Sequence, residues 1–270
     1  MKEITITNLA DYIDKVFLDA YDEGIKRYRT SYIYRGLGNK NWLLNTSLQR
    51  HCGEKSNYLE DSLNRNFEKY ASADIRSIDG EQNIWKILAL GQHHGLPTRL
   101  LDWTYSPLIA LHFAVDNMDL INEDSVVYMV DSKIINKNLP SQMRKILENE
   151  NAYVFTAKML HSLYRSLNEF DKLTDNDFLA IFEPPAFDNR IINQFGLFTI
   201  ANGAEKNINK ILEDNECVKL IIPSRIKMEI RDYLDQMNIN ERILFPGLDG
   251  LSKWLQRHYK PYEIWGKDNK

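Results

Sequence analysis

Between Gly91 and Phe113 the chain reads GQHHGLPTRLLDWTYSPLIALHF. A histidine pair, an arginine, an aspartate, a tryptophan, two threonines and a serine run directly into an apolar segment. Ser106-Pro107 opens that segment as a helix, PLIALHFAVDN. Proline in a first helical turn gives up no hydrogen bond, because the N–H it lacks would be unpaired there anyway. The local order is therefore a cluster of polar side chains held at the start of a rigid apolar element.

The surrounding pattern mixes helices and strands. SVVYMVD, 125–131, is a continuous β-branched and aromatic run and reads as a buried strand. SYIYRGLG reads as a short strand, Ser31 to Arg35, ended by glycines. Residues 7–23 have apolar positions at helical spacing, with Thr7 or Asn8 as the cap. Helices are expected at 57–75 and 80–94, the second stopping at Gly95 with Pro97 beyond. Short strands follow at 178–184, 197–201 and 218–223, and helices at about 224–237 and 247–259. This order predicts an α+β chain with several short strands in a mixed or antiparallel sheet surrounded by helices. No repeat, low-complexity tract or linker divides residues 1–270, so one domain is expected. The polar, weakly patterned segment from Ile134 to Asp175 reads as an insertion or mobile lid.

The totals exclude some function classes. With 270 residues and a net charge of -4, the chain is long enough for a sizeable core and has no global basic field for nucleic acid. Cys52 and Cys217 lie far apart, which argues against a disulfide framework or a thiolate metal site. No apolar run approaches the roughly 18 residues that a membrane helix needs. The N-terminus is polar, without an apolar signal core. A cytoplasmic location and no membrane partner are expected.

Several residues could carry chemistry. Arg35 ends its strand beside Gly36 and Gly38; its fork suits phosphate or carboxylate, and the glycines let a ligand approach the backbone. The alternative is a structural pair with an acid such as Asp102. His93, His94, Arg99, Asp102, Trp103, Thr104 and Ser106 form the polar cluster. HExxH is absent and adjacent histidines splay apart on a helix, so no metal is expected. Asp102 could act as a base, hold Arg99 or cap the next helix. Ser106 lacks the GxSxG setting of a serine hydrolase. Arg190 and Gln194 share a face if helical, and Asp249 lies in a Gly-Leu-Asp-Gly turn suited to a helix cap.

Taken in order, YIYRGLG, LALGQHHGLPTRLLDWTYSPLIALHFAV, SVVYMVD, RIINQFGLFTI and LFPGLDGL resemble the FRG domain, a bacterial and phage family. The likeness spans roughly residues 25–255, centred on Tyr34-Arg35-Gly36 and the long central motif. A more distant resemblance is to mono-ADP-ribosyltransferases of the arginine–serine–glutamate class. It rests on Tyr34-Arg35-Gly36 and on Trp103-Thr104-Tyr105-Ser106 before the apolar helix, with Ala110 and Phe113 at matching spacing. It implies that Arg35 holds the diphosphate or ribose of NAD and that Thr104 and Ser106 shape the pocket.

Residues and resemblance together give the candidate catalytic set Arg35, His93, Asp102 and Gln194. The ligand-binding set is Tyr34, Arg35, Gly36, His94, Arg99, Trp103, Thr104, Ser106 and Arg190. The transferases' catalytic glutamate has no counterpart in a Glu-x-Glu motif. By chain order its place falls to Glu183, Gln194 or Glu205; Gln194 is nearest by context, but an amide cannot supply the negative charge. The resemblance thus implies a cleft for NAD or a related nucleotide, either in an enzyme that transfers ADP-ribose to a protein or nucleic-acid acceptor or hydrolyses NAD, or in a binding or sensing module of a bacterial or phage-related system. The apolar helix would be the wall of that cleft.

Overall fold

A computed structural model describes residues 1–18, 20–79, 83–186 and 188–261. Ten strands occur among them: β1 (Lys2–Thr5), β2 (Tyr21–Asp22), β3 (Arg27–Tyr28), β4 (Tyr32–Leu37), β5 (Leu101–Thr104), β6 (Ser125–Asp131), β7 (Phe155–Thr156), β8 (Leu179–Glu183), β9 (Gly196–Ala201) and β10 (Val218–Ile222). β2 and β3 form a small exposed ribbon. The other eight form one sheet in the order β1-β10-β6-β4-β5-β9-β8-β7. The two outer pairs, β1–β10 and β7–β8, are parallel and the inner pairs antiparallel. The chain is α+β, with a mixed sheet flanked by helices in one compact domain.

Side chains alternate across the sheet, and the core follows that alternation. On one face Ile33, Leu101, Trp103, Val126, Tyr128, Leu179, Ile181 and Leu197 share a single apolar cluster. The opposite face carries two clusters. Behind β4, β6 and β10, Tyr34, Val127 and Leu220 pack on the helices Leu9–Phe17, Pro107–Val115 and Ser224–Gln236. Behind β8 and β9, Ala180, Phe182, Phe198 and Ile200 pack on Trp85, Leu88 and a set of short helices. The two helical packs meet near the β4–β5 join.

The segment expected to be a polar insertion or lid, 134–175, lies mostly in that second pack, while its Ile135 joins the cluster on the other face. It folds as helices Ser132–Lys137, Ser141–Asn149, Ala157–Leu163 and Leu167–Asp171, with β7 between. Leu139, Met143, Leu147, Phe155, Leu160, Leu167 and Phe170 are all buried in the cluster around Trp85. Its helices are short, and three of the four are capped by a side chain: Asp131, Thr156 and Ser166 each accept from a first-turn N–H. Spread over such short elements, the apolar spacing is too brief to stand out.

Other expectations shift in detail. The first helix stops at Phe17, not 23, and Asn8 is its cap. The strand expected from Ser31 begins at Tyr32 and continues past Arg35 to Leu37. Residues 57–75 hold two helices, Ser56–Tyr70 and Ser72–Asp79. The 80–94 helix begins at Ile84 behind the cap Asn83, and residues 80–82 lie outside the described set. Ser106 caps the Pro107 helix as its sequence suggests. Asp249 does not cap the last helix; it sits inside the first turn, behind Gly247.

Candidate functional site

The sheet is nearly broken in its middle. β4 pairs with β6 from Tyr32↔Asp131 to Leu37↔Val126, and β5 pairs with β9 over all four of its residues. Between β4 and β5 only Tyr34↔Thr104 is in register. A cavity of about 410 Å³ opens where these strands part. β4 and the following Gly38 form one side, and Asp102, Trp103 and Thr104 of β5 the other. Phe113, Asp116, Asn117, Arg190, Ile191 and Gln194 complete the lining.

Arg35 reaches across this gap. Its Nη1 donates to the main-chain carbonyl of Asp102 and lies 3.7 Å from Oδ2 of the same residue. Its Nε is buried with no hydrogen-bond partner. Burial lowers the pKa of the guanidinium and the Asp102 carboxylate draws it back up; an arginine keeps its charge under such opposing pulls. The result is a cation in the cavity wall with donor capacity left over. The structural and ligand-binding readings of this arginine are therefore compatible: one bond anchors it to β5, and the rest of the fork is unspent.

Asp102 is positioned in turn. Gln92 Nε2 donates to its Oδ2 at 2.9 Å. The orientation of that amide is set by Thr98 Oγ1 and Ser47 Oγ, which donate to Gln92 Oε1 at 2.7 and 3.3 Å. The spacing Gln92, Thr98, Asp102 in the central motif is thus a hydrogen-bonded relay that ends beside Arg35. Asp102 neither pairs with Arg99 nor caps a helix.

The glycines serve packing. A Cβ on Gly36 would stand 1.9 Å from the carbonyl oxygen of Ala110 and 2.6 Å from the amide nitrogen of Ala114. The backbone that comes close to Gly36 is that of the Pro107 helix. Gly38 is likewise approached by the side chain of Leu120. Both glycines also line the cavity, so close helix packing is a second reason for glycine at these positions.

Thr104 Oγ1 donates to the carbonyl of Gln194 at 2.7 Å and accepts from the amide of Ser106 at 3.0 Å. Gln194 spends its amide on the Leu244 carbonyl, 2.9 Å away. Arg190 stacks on Phe245, with 5.0 Å from its guanidinium to the ring centre. His93 ends the helix Ile84–His93 and places Nε2 2.6 Å from Asp188 Oδ2.

Of the residues singled out by sequence, Tyr34, Arg35, Gly36, His93, Asp102, Trp103, Thr104, Arg190 and Gln194 line this one cavity. Three others do not. Arg99 is buried on the other side of the fold, where Nε and Nη2 meet Glu60 and Nη1 meets Asp171 at 2.6 Å. Ser106 spends its hydroxyl capping the Pro107 helix. His94 is exposed at the end of its helix. Of the alternative glutamates, Glu183 accepts from Tyr105 OH at 2.6 Å and Glu205 borders a separate groove.

Sequence reading missed Gln92, Asp116, Asn117 and the half-exposed Trp42 in the lining. The available signal for Asp116 was its place as the first acid after nine mostly apolar residues. Burial pushes its carboxyl pKa up. Among the described residues no group of three or more His, Cys, Asp or Glu is gathered as for a metal ion, and no helix is long and apolar enough to cross a membrane.

Searches among curated proteins and solved structures return no match. The family model of the FRG domain matches residues 30–123. That span is narrower than the roughly 25–255 over which motifs resemble the family. It holds β4, the Gln92–Asp102 relay, β5 and the Pro107 helix, but not Asp188, Arg190 or Gln194. The half of the cavity built around Arg35 is the work of an FRG domain, which this chain carries at residues 30–123.

Proposed function

We propose that the cleft between β4 and β5 binds NAD or a related nucleotide, and that it does so in an ADP-ribosyltransferase-like enzyme. The observation that carries this reading is the incompletely paired Arg35 guanidinium at the parting of the strands. A partly buried arginine whose Nε has no partner is suited to a diphosphate, which can accept from its remaining N–H groups at fixed geometry. Trp42 and Phe113 give apolar ring surface in the same lining, suited to a base or a nicotinamide. Asp102 is the carboxylate best placed to face positive charge developing on a ribose, because Gln92 orients it and it stands beside Arg35.

A second reading, nucleotide binding without turnover, is favoured by one feature. Glu183 and Glu205 are absent from the cavity lining, and the Gln194 side chain is committed to Leu244. One assay separates the two: incubation with NAD, measuring free nicotinamide and thermal stabilisation together. Under the enzyme reading nicotinamide appears. Asp102→Asn then lowers its release by a hundredfold or more, in the range of a lost electrostatic contact to a transition state, and retains the thermal shift. A thermal shift without nicotinamide supports the binding module, and neither effect rejects both.

A further inference from the structure

A second cavity of about 420 Å³ adjoins the first, walled by Asp188, Arg190, Phe245, Pro246 and Asp249 among others. Arg190 lines both. The other link between the two walls is His93, from the first, against Asp188, from the second, at 2.6 Å. Asp188 is fixed in place. Its Oδ1 accepts from the amides of Arg190 and Ile191 at 2.9 and 3.1 Å, capping the helix Asn189–Gln194. An imidazole whose Nε2 faces a carboxylate keeps its proton there and leaves Nδ1 to accept. His93 Nδ1 makes no hydrogen bond among the described residues.

The groups facing His93 are Asp188, Arg190 and the ring of His94, whose centre is 4.9 Å away. Burial, Arg190 and His94 lower its pKa and Asp188 raises it, with lowering the net result. The ring is therefore neutral, and able to act as a base, at pH 7.

We propose that an acceptor bearing a neutral O–H group, an alcohol or water, enters through the second cavity and reaches His93 in the wall of the first, and that His93 takes its proton while Asp188 serves as the positioning residue. This rests on the reading of the first cavity as an NAD cleft. The acceptor oxygen bonds to C1′ of the nicotinamide ribose as the C1′–N bond breaks. The bonding pair stays on the pyridine nitrogen, which loses its positive charge. The acceptor's proton passes to His93 Nδ1, and the imidazolium, paired with Asp188, returns it to water.

The test is nicotinamide release from NAD between pH 5 and 9, with NAD-induced thermal shift as the binding control. The unsubstituted protein should lose rate below the pKa of His93, which lies under 6.5. His93→Gln should lower release about a hundredfold or more, the range for a general base, and abolish that acid limb. Asp188→Asn keeps the helix cap, since asparagine caps as well as aspartate. It should lower the rate and move the limb to lower pH, because loss of the negative charge lowers the histidine pKa. Asp249→Trp, which fills the second cavity, should slow release with the thermal shift intact.

Wild-type rate and limb in His93→Gln would overturn the role of the base, an unmoved limb in Asp188→Asn that of the positioning residue, and full release in Asp249→Trp the access route. Absence of release from the unsubstituted protein would overturn the transfer reading itself, and this proposal with it.

Discussion

Gly36 and His112 show how single positions hold the cleft in shape. Any side chain at Gly36 meets helix backbone, which cannot rotate away as a side chain could. Gly36→Ala should therefore cost about 3 kcal/mol or more, at the upper end for overpacking, read as a lower urea midpoint. His112 lies in the Pro107 helix, fully buried, with Nδ1 2.7 Å from Arg231 Nη1. A guanidinium only donates, so Nδ1 must accept and the ring must be neutral. Burial, with Arg231 beside it, pushes the pKa down to about 3. The unfolded chain takes up a proton near pH 6.5 that the fold refuses, so stability is complete above 6.5 and falls as pH drops toward 3. His112→Gln keeps an acceptor without the titration. Its stability should change clearly less between pH 6.5 and 5 than that of the parent; an equal slope would assign the acid sensitivity elsewhere.

Among the elements, the legible ones were those with a continuous signal. SVVYMVD is a strand as read, and Ser106-Pro107 starts its helix as read. β5 escaped because LDWT is four residues long and carries the polar Asp102, so it has no run to detect. β1 is as short. The 134–175 segment escaped for a related reason: its buried residues come one or two per short helix and converge only in three dimensions. Phe170 is the clearest case, edge-on to Trp85 at 5.2 Å and to Phe178 at 5.2 Å. Phe170→Ala should cost about 3–5 kcal/mol, as for other buried aromatics. A loss below about 1 kcal/mol, within the range of surface substitutions, would mean that this segment is not part of the working core.

At the scale of the whole molecule, the site follows from the sheet. Two helical packs cover one face, and the strands between them meet at a single register pair, so the sheet itself supplies the cleft. Much of the cleft was legible, because His93, Asp102, Trp103 and Thr104 are compact in one motif and Arg35 stands in a recognisable strand of its own. The contacts of Asp188 with His93, Gln194 with Leu244 and Arg190 with Phe245 were not, since each joins segments far apart in the chain. Arg99, in the same motif, faces the other way because the chain turns between it and β5.

The central claim is that this parting of the strands is a nucleotide cleft anchored by Arg35. Calorimetric titration of NAD into the protein and into Arg35→Gln, which retains a donor for the Asp102 carbonyl, tests it most directly. Saturable binding that weakens at least tenfold in the variant is the expected result. Absence of binding, or equal affinity in both proteins, would contradict the claim.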